Sequence, residues 1–265
     1  MTHLTARGDI AIAEIVVYAF LLVISLLNCV RHGFKGQDGW ILLSIFCILR
    51  LVASVLVIVV EESSNPSTGV IVGEFTISNI ALTPLHMAAL GFLITCALLA
   101  FDNTVPAMLN NMLRISRIVL AAAIILGIVS AVEINSNQAS TTGHDLQKAA
   151  ILLITAVFCF LTLFALYLLG FVSIGGQSRM LALGVTFALP FLCVRIIYSL
   201  VGVFSTAIPN NFSSTTGSWQ IYLGMDVIME FVVVGVLAVT GLLLQNYYSE
   251  GSPRNLQFEM ANMKD

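Results

Sequence analysis

Seven long apolar stretches, separated by short polar connections, constrain this chain more than any other feature of its sequence. Each is about as long as the roughly 20 residues with which a helix crosses the hydrocarbon core of a bilayer. Only 9% of the residues are charged, against about 25% in a soluble domain, so too little charge is present to cover a water-exposed fold. The sequence therefore predicts membrane spans at residues 10–30, 40–60, 75–101, 113–132, 149–171, 180–204 and 219–244.

These spans predict an all-α membrane protein. The stretches are continuous and rich in Leu, Ile and Val, whereas the strands of a transmembrane barrel alternate apolar and polar residues. Residues 1–246 are predicted to form one seven-helix transmembrane domain, and residues 247–265 a short polar tail. The net charge of −3 provides no basic surface, so nucleic acid is not an expected partner, and membrane lipid is.

The positive charges of the connections predict the orientation, because Lys and Arg collect on the cytosolic side. Seven of them lie on the side of the C-terminus, and only Arg7 and Lys148 lie on the other. The N-terminus is therefore expected in the lumen and the C-terminus in the cytosol. A glycosylation sequon at Asn211 falls in the last lumenal connection, which predicts a glycoprotein of the endoplasmic reticulum.

Ionisable residues inside the predicted spans mark the candidate site. Each costs about 2.5–3.5 kcal/mol at the centre of a membrane helix, so such residues usually face a functional interior. They are Glu14, Arg50, His86, Arg195, Asp226 and Glu230. Helical spacing places Tyr18, Ser54 and Tyr198 on the same faces as Glu14, Arg50 and Arg195, respectively.

The interior charges do not balance. Two arginines face three carboxylic acids, Glu14, Asp226 and Glu230, and the acid in surplus is a candidate for a protonated, neutral carboxyl group. Asp226 and Glu230 are one helical turn apart and either share a proton or divide into one structural and one catalytic acid. Arg50 and Arg195 either hold the bundle together by pairing with these acids or bind a ligand.

Several functions of seven-helix proteins lack their residues here. All three lysines lie outside the spans, which excludes a retinal Schiff base. His86 is the single histidine inside a span, and no set of three or four zinc ligands is visible, so neither haem nor any metal or other cofactor is expected. A receptor coupled to a cytosolic partner fits less well, because the connection at 172–179 and the tail are short.

Three segments resemble a large family of fungal seven-span proteins, most of them of unknown function. They read GWILLSIFCILRLVAS at 39–54, ALPFLCVRIIYSLVGVF at 188–204 and MDVIMEFVVV at 225–234. Within that family the chain resembles the membrane-bound terpene cyclases of fungal meroterpenoid clusters, of the ascofuranone and ascochlorin type. The resemblance covers essentially all the spans.

The resemblance implies a metal-independent terpene cyclase, an isomerase of fungal secondary metabolism. Its substrate would be a small apolar prenylated phenol with an epoxidised terminal alkene, and other enzymes of one biosynthetic pathway would be its partners. Asp226, Glu230 and Glu14 are the candidate catalytic acids, with Asp226 preferred as the proton donor. Arg50, His86, Arg195, Tyr198 and Tyr18 are the candidate substrate-binding residues. A receptor-like sensor and a small-solute transporter are the alternatives.

Overall fold

The computed structural model describes residues 5–32, 38–63, 67–101, 106–136, 141–171, 176–205, 212 and 217–244, and all regular structure within these ranges is helical. The predicted glycosylation site at Asn211 and the tail 247–265 lie outside the described residues. The helices in chain order are α1 (Ala6–His32), α2 (Asp38–Glu62), α3 (Thr68–Ile80), α4 (Leu82–Ala100), α5 (Ala107–Ser136), α6 (Thr141–Phe171), α7 (Gly176–Phe204), α8 (Trp219–Tyr222) and α9 (Ile228–Leu243).

Seven spans within the described ranges are long and apolar enough to cross a membrane, as the sequence predicts. The chain is an integral, multi-pass membrane protein. Its outward faces carry the apolar side chains that a lipid-facing surface needs; on α1, Val16, Phe20 and Val30 are each more than half exposed. The third span, Gly69–Ala100, begins earlier than predicted and consists of α3 and α4.

The interruption between α3 and α4 follows from a proline. Pro84 has no N–H to donate to the carbonyl group of Ile80, and its ring crowds the preceding turn. The chain accordingly forms a turn at Ala81, three residues before Pro84. Pro190 has a weaker effect, because α7 continues on both sides of it.

The central helix of the bundle is α4. Thirteen of its 19 residues are buried, and it packs against α2, α5, α6 and α7. Its small residues Ala88, Ala89 and Gly91 allow neighbouring helices to approach closely, as is usual between membrane helices. The other main pairs are α1 with α2, α5 with α6, and α7 with α9.

A π-helical turn, Leu223–Val227, joins α8 to α9 inside the seventh span. The backbone N–H of Ile228 donates to the carbonyl oxygen of Leu223, five residues earlier, instead of four as in an α-helix. Such turns occur frequently at functional sites. Asp226 lies in this turn and Glu230 in the first turn of α9, and both side chains are buried.

The end of the bundle opposite the N-terminus is tightly packed. The side-chain amide of Asn28 in α1 donates to the carbonyl oxygen of Ala238 in α9 at 3.0 Å. A Cβ atom at Gly241 would meet the ring of Trp40, so glycine is needed there for α2 and α9 to approach. The charged residues described below therefore lie next to a tightly packed end of the bundle.

Candidate functional site

Four of the predicted interior charges form one cluster, here called the ion quartet. It consists of Arg50 in α2, Arg195 in α7, Asp226 in the π-helical turn and Glu230 in α9, all almost completely buried. Nη2 of Arg50 lies 3.1 Å from Oδ2 of Asp226 and also contacts Oε2 of Glu230. Nε of Arg195 lies 2.5 Å from Oδ1 of Asp226 and 2.7 Å from Oε1 of Glu230.

The ion quartet is electrically neutral, with two positive and two negative groups. Inside a membrane protein each of these charges would be costly alone, and each is compensated by two opposite charges. The hydrogen bonds are unequal: the N–H at Nε of Arg195 donates to Glu230, whereas Asp226 Oδ1 has a charge contact without a hydrogen bond. The geometry is that of a cross-link between three spans.

Aromatic and hydroxyl groups complete the ion quartet. The hydroxyl group of Tyr18 donates to Oε2 of Glu230 at 3.2 Å, and Nη1 of Arg195 donates to Oγ of Ser199 at 2.5 Å. The Arg195 guanidinium group lies 5.6 Å from the centre of the Tyr198 ring, within the range of a cation–π interaction. Tyr18 and Tyr198 thus lie beside the charges, as their helical spacing predicts.

Glu14 is the predicted interior acid that the ion quartet leaves out. It lies in α1, and within the described part of the chain no arginine, lysine or histidine comes within ion-pair distance of it. Its Oε1 accepts a hydrogen bond of 3.1 Å from the hydroxyl group of Tyr222, and its Oε2 lies 2.6 Å from Oγ of Ser54. Glu14 is therefore held by hydroxyl groups rather than by cations.

The contacts of Ser54 bear on the charge of Glu14. Oγ of Ser54 also lies 2.9 Å from the backbone carbonyl oxygen of Arg50. The hydroxyl group of Ser54 has one hydrogen, which can donate to Oε2 of Glu14, to the carbonyl oxygen of Arg50, or to both in a shared hydrogen bond. If Glu14 is protonated at Oε2 and donates to Ser54, each contact becomes a full hydrogen bond. The geometry is therefore compatible with a neutral carboxylic acid as well as with a carboxylate.

A cavity of about 180 Å³ adjoins Glu14, between α1, α2, α3 and α8. Its wall is partly apolar and partly acidic, and Glu14 is a buried residue of this wall. It is lined by Arg7, Ala11, Glu14, Val57, Val60, Glu61, Ile71, Glu74, Ser78 and Tyr222. The ion quartet does not border this cavity, so the two groups of predicted acids differ in access as well as in partners.

A second, smaller cavity of about 50 Å³ is lined by Arg195 and by residues of α3, α4, α5, α6 and α7. Thr83 and Ser199 also line it. His86 lies one turn beyond Thr83 on α4 and is completely buried. Its Nδ1 lies 2.9 Å from the carbonyl oxygen of Leu82, so Nδ1 carries the hydrogen and Nε2 is an acceptor without a protein partner.

The structure thus brings six of the eight predicted site residues into contact around two centres, with Tyr198 stacked on one of them and His86 apart. Sequence reasoning missed Tyr222 and Ala11 as residues of the Glu14 site. The available signal for Tyr222 was its position four residues before Asp226, and for Ala11 its position three residues before Glu14. Within the described ranges, no three His, Cys, Asp or Glu side chains group as a metal site.

A family described as a domain of unknown function, DUF7702, matches residues 4–247. The chain belongs to this family. The match covers all seven spans and both groups of buried acids. No curated protein and no solved structure matches the chain significantly. The DUF7702 assignment therefore establishes the family, and the activity has to be argued from the site.

Proposed function

We propose that this DUF7702 protein is a membrane-bound terpene cyclase that opens the epoxide of a prenylated phenol by general acid catalysis. The observation that carries the proposal is the arrangement at Glu14. A buried carboxyl group, held by two hydroxyl groups and without a cation at ion-pair distance in the described ranges, borders a cavity whose wall is partly apolar. Acid-initiated cyclisation needs this combination, because the acid must hold a proton and the cation must be kept from bulk water.

The reaction begins with proton transfer from Oε2 of Glu14 to the epoxide oxygen. The carbon–oxygen bond at the more substituted carbon breaks, and the neighbouring alkene attacks the resulting carbocation to form a carbon–carbon bond. Loss of a proton from carbon ends the sequence, so the product is an isomer of the substrate. The ring of Tyr222, which holds Oε1 of Glu14 and lines the cavity, can stabilise the passing cation.

The residue roles differ from those expected from the sequence alone. Asp226 and Glu230, the acids preferred there, each face two arginines, and this favours a structural role. Glu14, the third candidate, is the proposed proton donor. Arg50 contributes through its backbone carbonyl group, which orients the hydroxyl group of Ser54.

The cavity suits one end of a long apolar substrate. About 180 Å³ is smaller than the roughly 300–1,000 Å³ of pockets that enclose a whole drug-sized molecule. Ile71 lines the cavity and is 40% exposed. In the proposed mode of binding, a substrate dissolved in the membrane approaches beside α3 and inserts its epoxidised end.

The test is conversion in membranes. Membranes from a host that expresses the chain are supplied with the terminal epoxide of a farnesylated phenol and searched by mass spectrometry for a new isomer of unchanged mass. We expect the isomer with the wild-type chain and not with Glu14→Gln. Absence of any isomer with several such epoxides would contradict the cyclase proposal and favour a receptor or a transporter.

The proposed membrane is the endoplasmic reticulum, with the N-terminus in the lumen. The distribution of Lys and Arg supports this orientation, and it would expose Asn211 to glycosylation. A mass decrease on treatment with an endoglycosidase, lost in Asn211→Gln, is the expected result. If a protease digests an N-terminal tag in sealed microsomes, the N-terminus is cytosolic and the proposed orientation is wrong.

A further inference from the structure

A second carboxyl group borders the cavity of Glu14. Glu74 lies in α3, across from Glu14 in α1, and is 9% exposed. It has a weak contact of 3.5 Å with the hydroxyl group of Ser78, one turn further along α3. Burying a carboxyl group with so little hydrogen bonding costs free energy, and this carboxyl group borders a cavity.

The surroundings of the two carboxyl groups differ. Arg7 lines the same cavity as Glu74 and is held in place by a 2.9 Å hydrogen bond from its Nη2 to the carbonyl oxygen of Gly217. Its guanidinium group also lies 5.8 Å from the centre of the Tyr222 ring. A fixed cation on the cavity wall stabilises a negative charge there. Among the described residues neither Glu14 nor Glu74 has a cation within ion-pair distance, but Glu14 has two hydroxyl partners, whereas Glu74 has the weak contact with Ser78 and shares the cavity wall with Arg7.

We infer that Glu74 is the catalytic base that ends the reaction proposed above, with Glu14 as the acid that begins it. The inference rests on that proposed function. The carboxylate of Glu74 removes a proton from the carbon next to the cationic centre, and the electrons of that carbon–hydrogen bond form the alkene. The proton then passes from Glu74 to the ionised Glu14 across the cavity, so that both groups return to their initial states and no co-reactant is consumed.

One cavity with two carboxyl groups in different surroundings is a common way to divide acid and base roles at one pH. The position of Glu74 on the cavity wall also explains why one particular proton would be removed from the final carbocation. The cavity is small, and the other side chains on the described part of its wall are apolar, hydroxylic or already engaged. Glu61, at the outer rim, accepts hydrogen bonds from the backbone N–H and the hydroxyl group of Thr5.

The test separates consumption of the epoxide from the identity of the products. In Glu74→Gln, we expect the substrate to be consumed still, while the main alkene isomer falls by about tenfold relative to consumption. Other alkene isomers and water-captured alcohols should replace it. Glu74→Asp, which keeps a carboxylate, should restore part of the native isomer, and Glu62→Gln, at an exposed acid of α2 that does not line the cavity, is the matched control without effect.

The outcomes distinguish the two proposals. If the wild-type chain forms no isomer, the proposed function is wrong. If the wild-type chain converts the epoxide and folded Glu74→Gln gives the same product ratio, Glu74 is not the base. Loss of epoxide consumption in folded Glu74→Gln would also overturn the inference, because it would place Glu74 in the first step.

Discussion

The two groups of buried acids in this protein lie close together and have opposite surroundings. Asp226 and Glu230 each face Arg50 and Arg195 in a neutral ion quartet that joins three spans. Glu14 is held by two hydroxyl groups and borders a cavity. The difference shows that a buried charge in a membrane protein has to be judged by its partners: an acid paired with arginines can be structural, whereas an acid without such a pair is the stronger candidate for function.

The contrast is sharpest along α2. Arg50 and Ser54 are one turn apart on the same face, and both are buried. Arg50 gives its side chain to the ion quartet and its carbonyl oxygen to Ser54, which in turn contacts Glu14. One helix face therefore contacts the ion quartet and, one turn away, Glu14, the proposed proton donor.

The largest expected effect is loss of folding on breaking the ion quartet. Glu230→Gln leaves two arginines opposite one carboxylate, and we expect the free energy of unfolding to fall by roughly 3–5 kcal/mol. Thermal unfolding of the protein purified in detergent measures this change. The double variant Arg50→Met with Glu230→Met keeps the neutral Arg195–Asp226 pair and should recover most of the stability. Wild-type stability of Glu230→Gln would argue against a structural quartet.

The next effect is loss of activity at Glu14 without loss of folding. In Glu14→Gln the amide group can donate to Ser54 and accept from Tyr222, which reproduces the hydrogen bonds of a protonated carboxyl group. We expect epoxide consumption to fall by roughly 10²–10⁴-fold, since the transferable proton is gone. Unfolding should stay close to that of the wild type. A strongly destabilised Glu14→Gln would instead indicate an ionised Glu14.

A smaller effect is expected from filling the cavity. Ala11 lies one turn before Glu14 and lines the cavity, so Ala11→Leu occupies space that the substrate needs. We expect the rate of epoxide consumption to fall by roughly 10²-fold through misplacement of the substrate. Val16→Leu, on the exposed face of the same helix, is the matched control. Equal rates in both variants would separate this cavity from the reaction.

The smallest effect is expected at the hydroxyl group that links the two centres. Ser54→Ala removes one hydrogen bond to Glu14, a change of about 1 kcal/mol, which corresponds to a rate decrease of about fivefold. Steady-state rates in membranes with matched protein levels measure it. A decrease as large as that of Glu14→Gln would make Ser54 part of the proton transfer itself.

The sequence predicted the seven spans, the polar faces of α1, α2, α7 and α9, and one interior acid in surplus. These features depend on hydrophobic length, helical spacing and charge count within single helices. Which acid is in surplus depends on the depth and rotation of one helix relative to another, and a single sequence does not contain that information. The same limit hid the contact between Tyr222 and Glu14, whose positions are 208 residues apart.

The break at Ala81 could be predicted in part, because Pro84 disfavours a continuous helix there. The earlier start of the third span could not be predicted. The polar segment 61–69 contains the Asn65-Pro66 pair that is typical of a loop, and this concealed the helical start at Thr68. As a consequence Glu74, one residue before the predicted start of the third span at 75, lies within α3 on the wall of the cavity.

The π-helical turn in the seventh span determines how far α8 is rotated about the helix axis relative to α9. Each residue added to or removed from a helix rotates what precedes it by about 100°. The extra residue in Leu223–Val227 therefore fixes the direction of Tyr222 while Asp226 and Glu230 stay anchored to the arginines. If this turn tightened to an α-helix, the hydroxyl group of Tyr222 would turn away from Glu14. The π-helical turn therefore links the rotation of Tyr222, which donates a hydrogen bond to Glu14, to the position of the anchored charges.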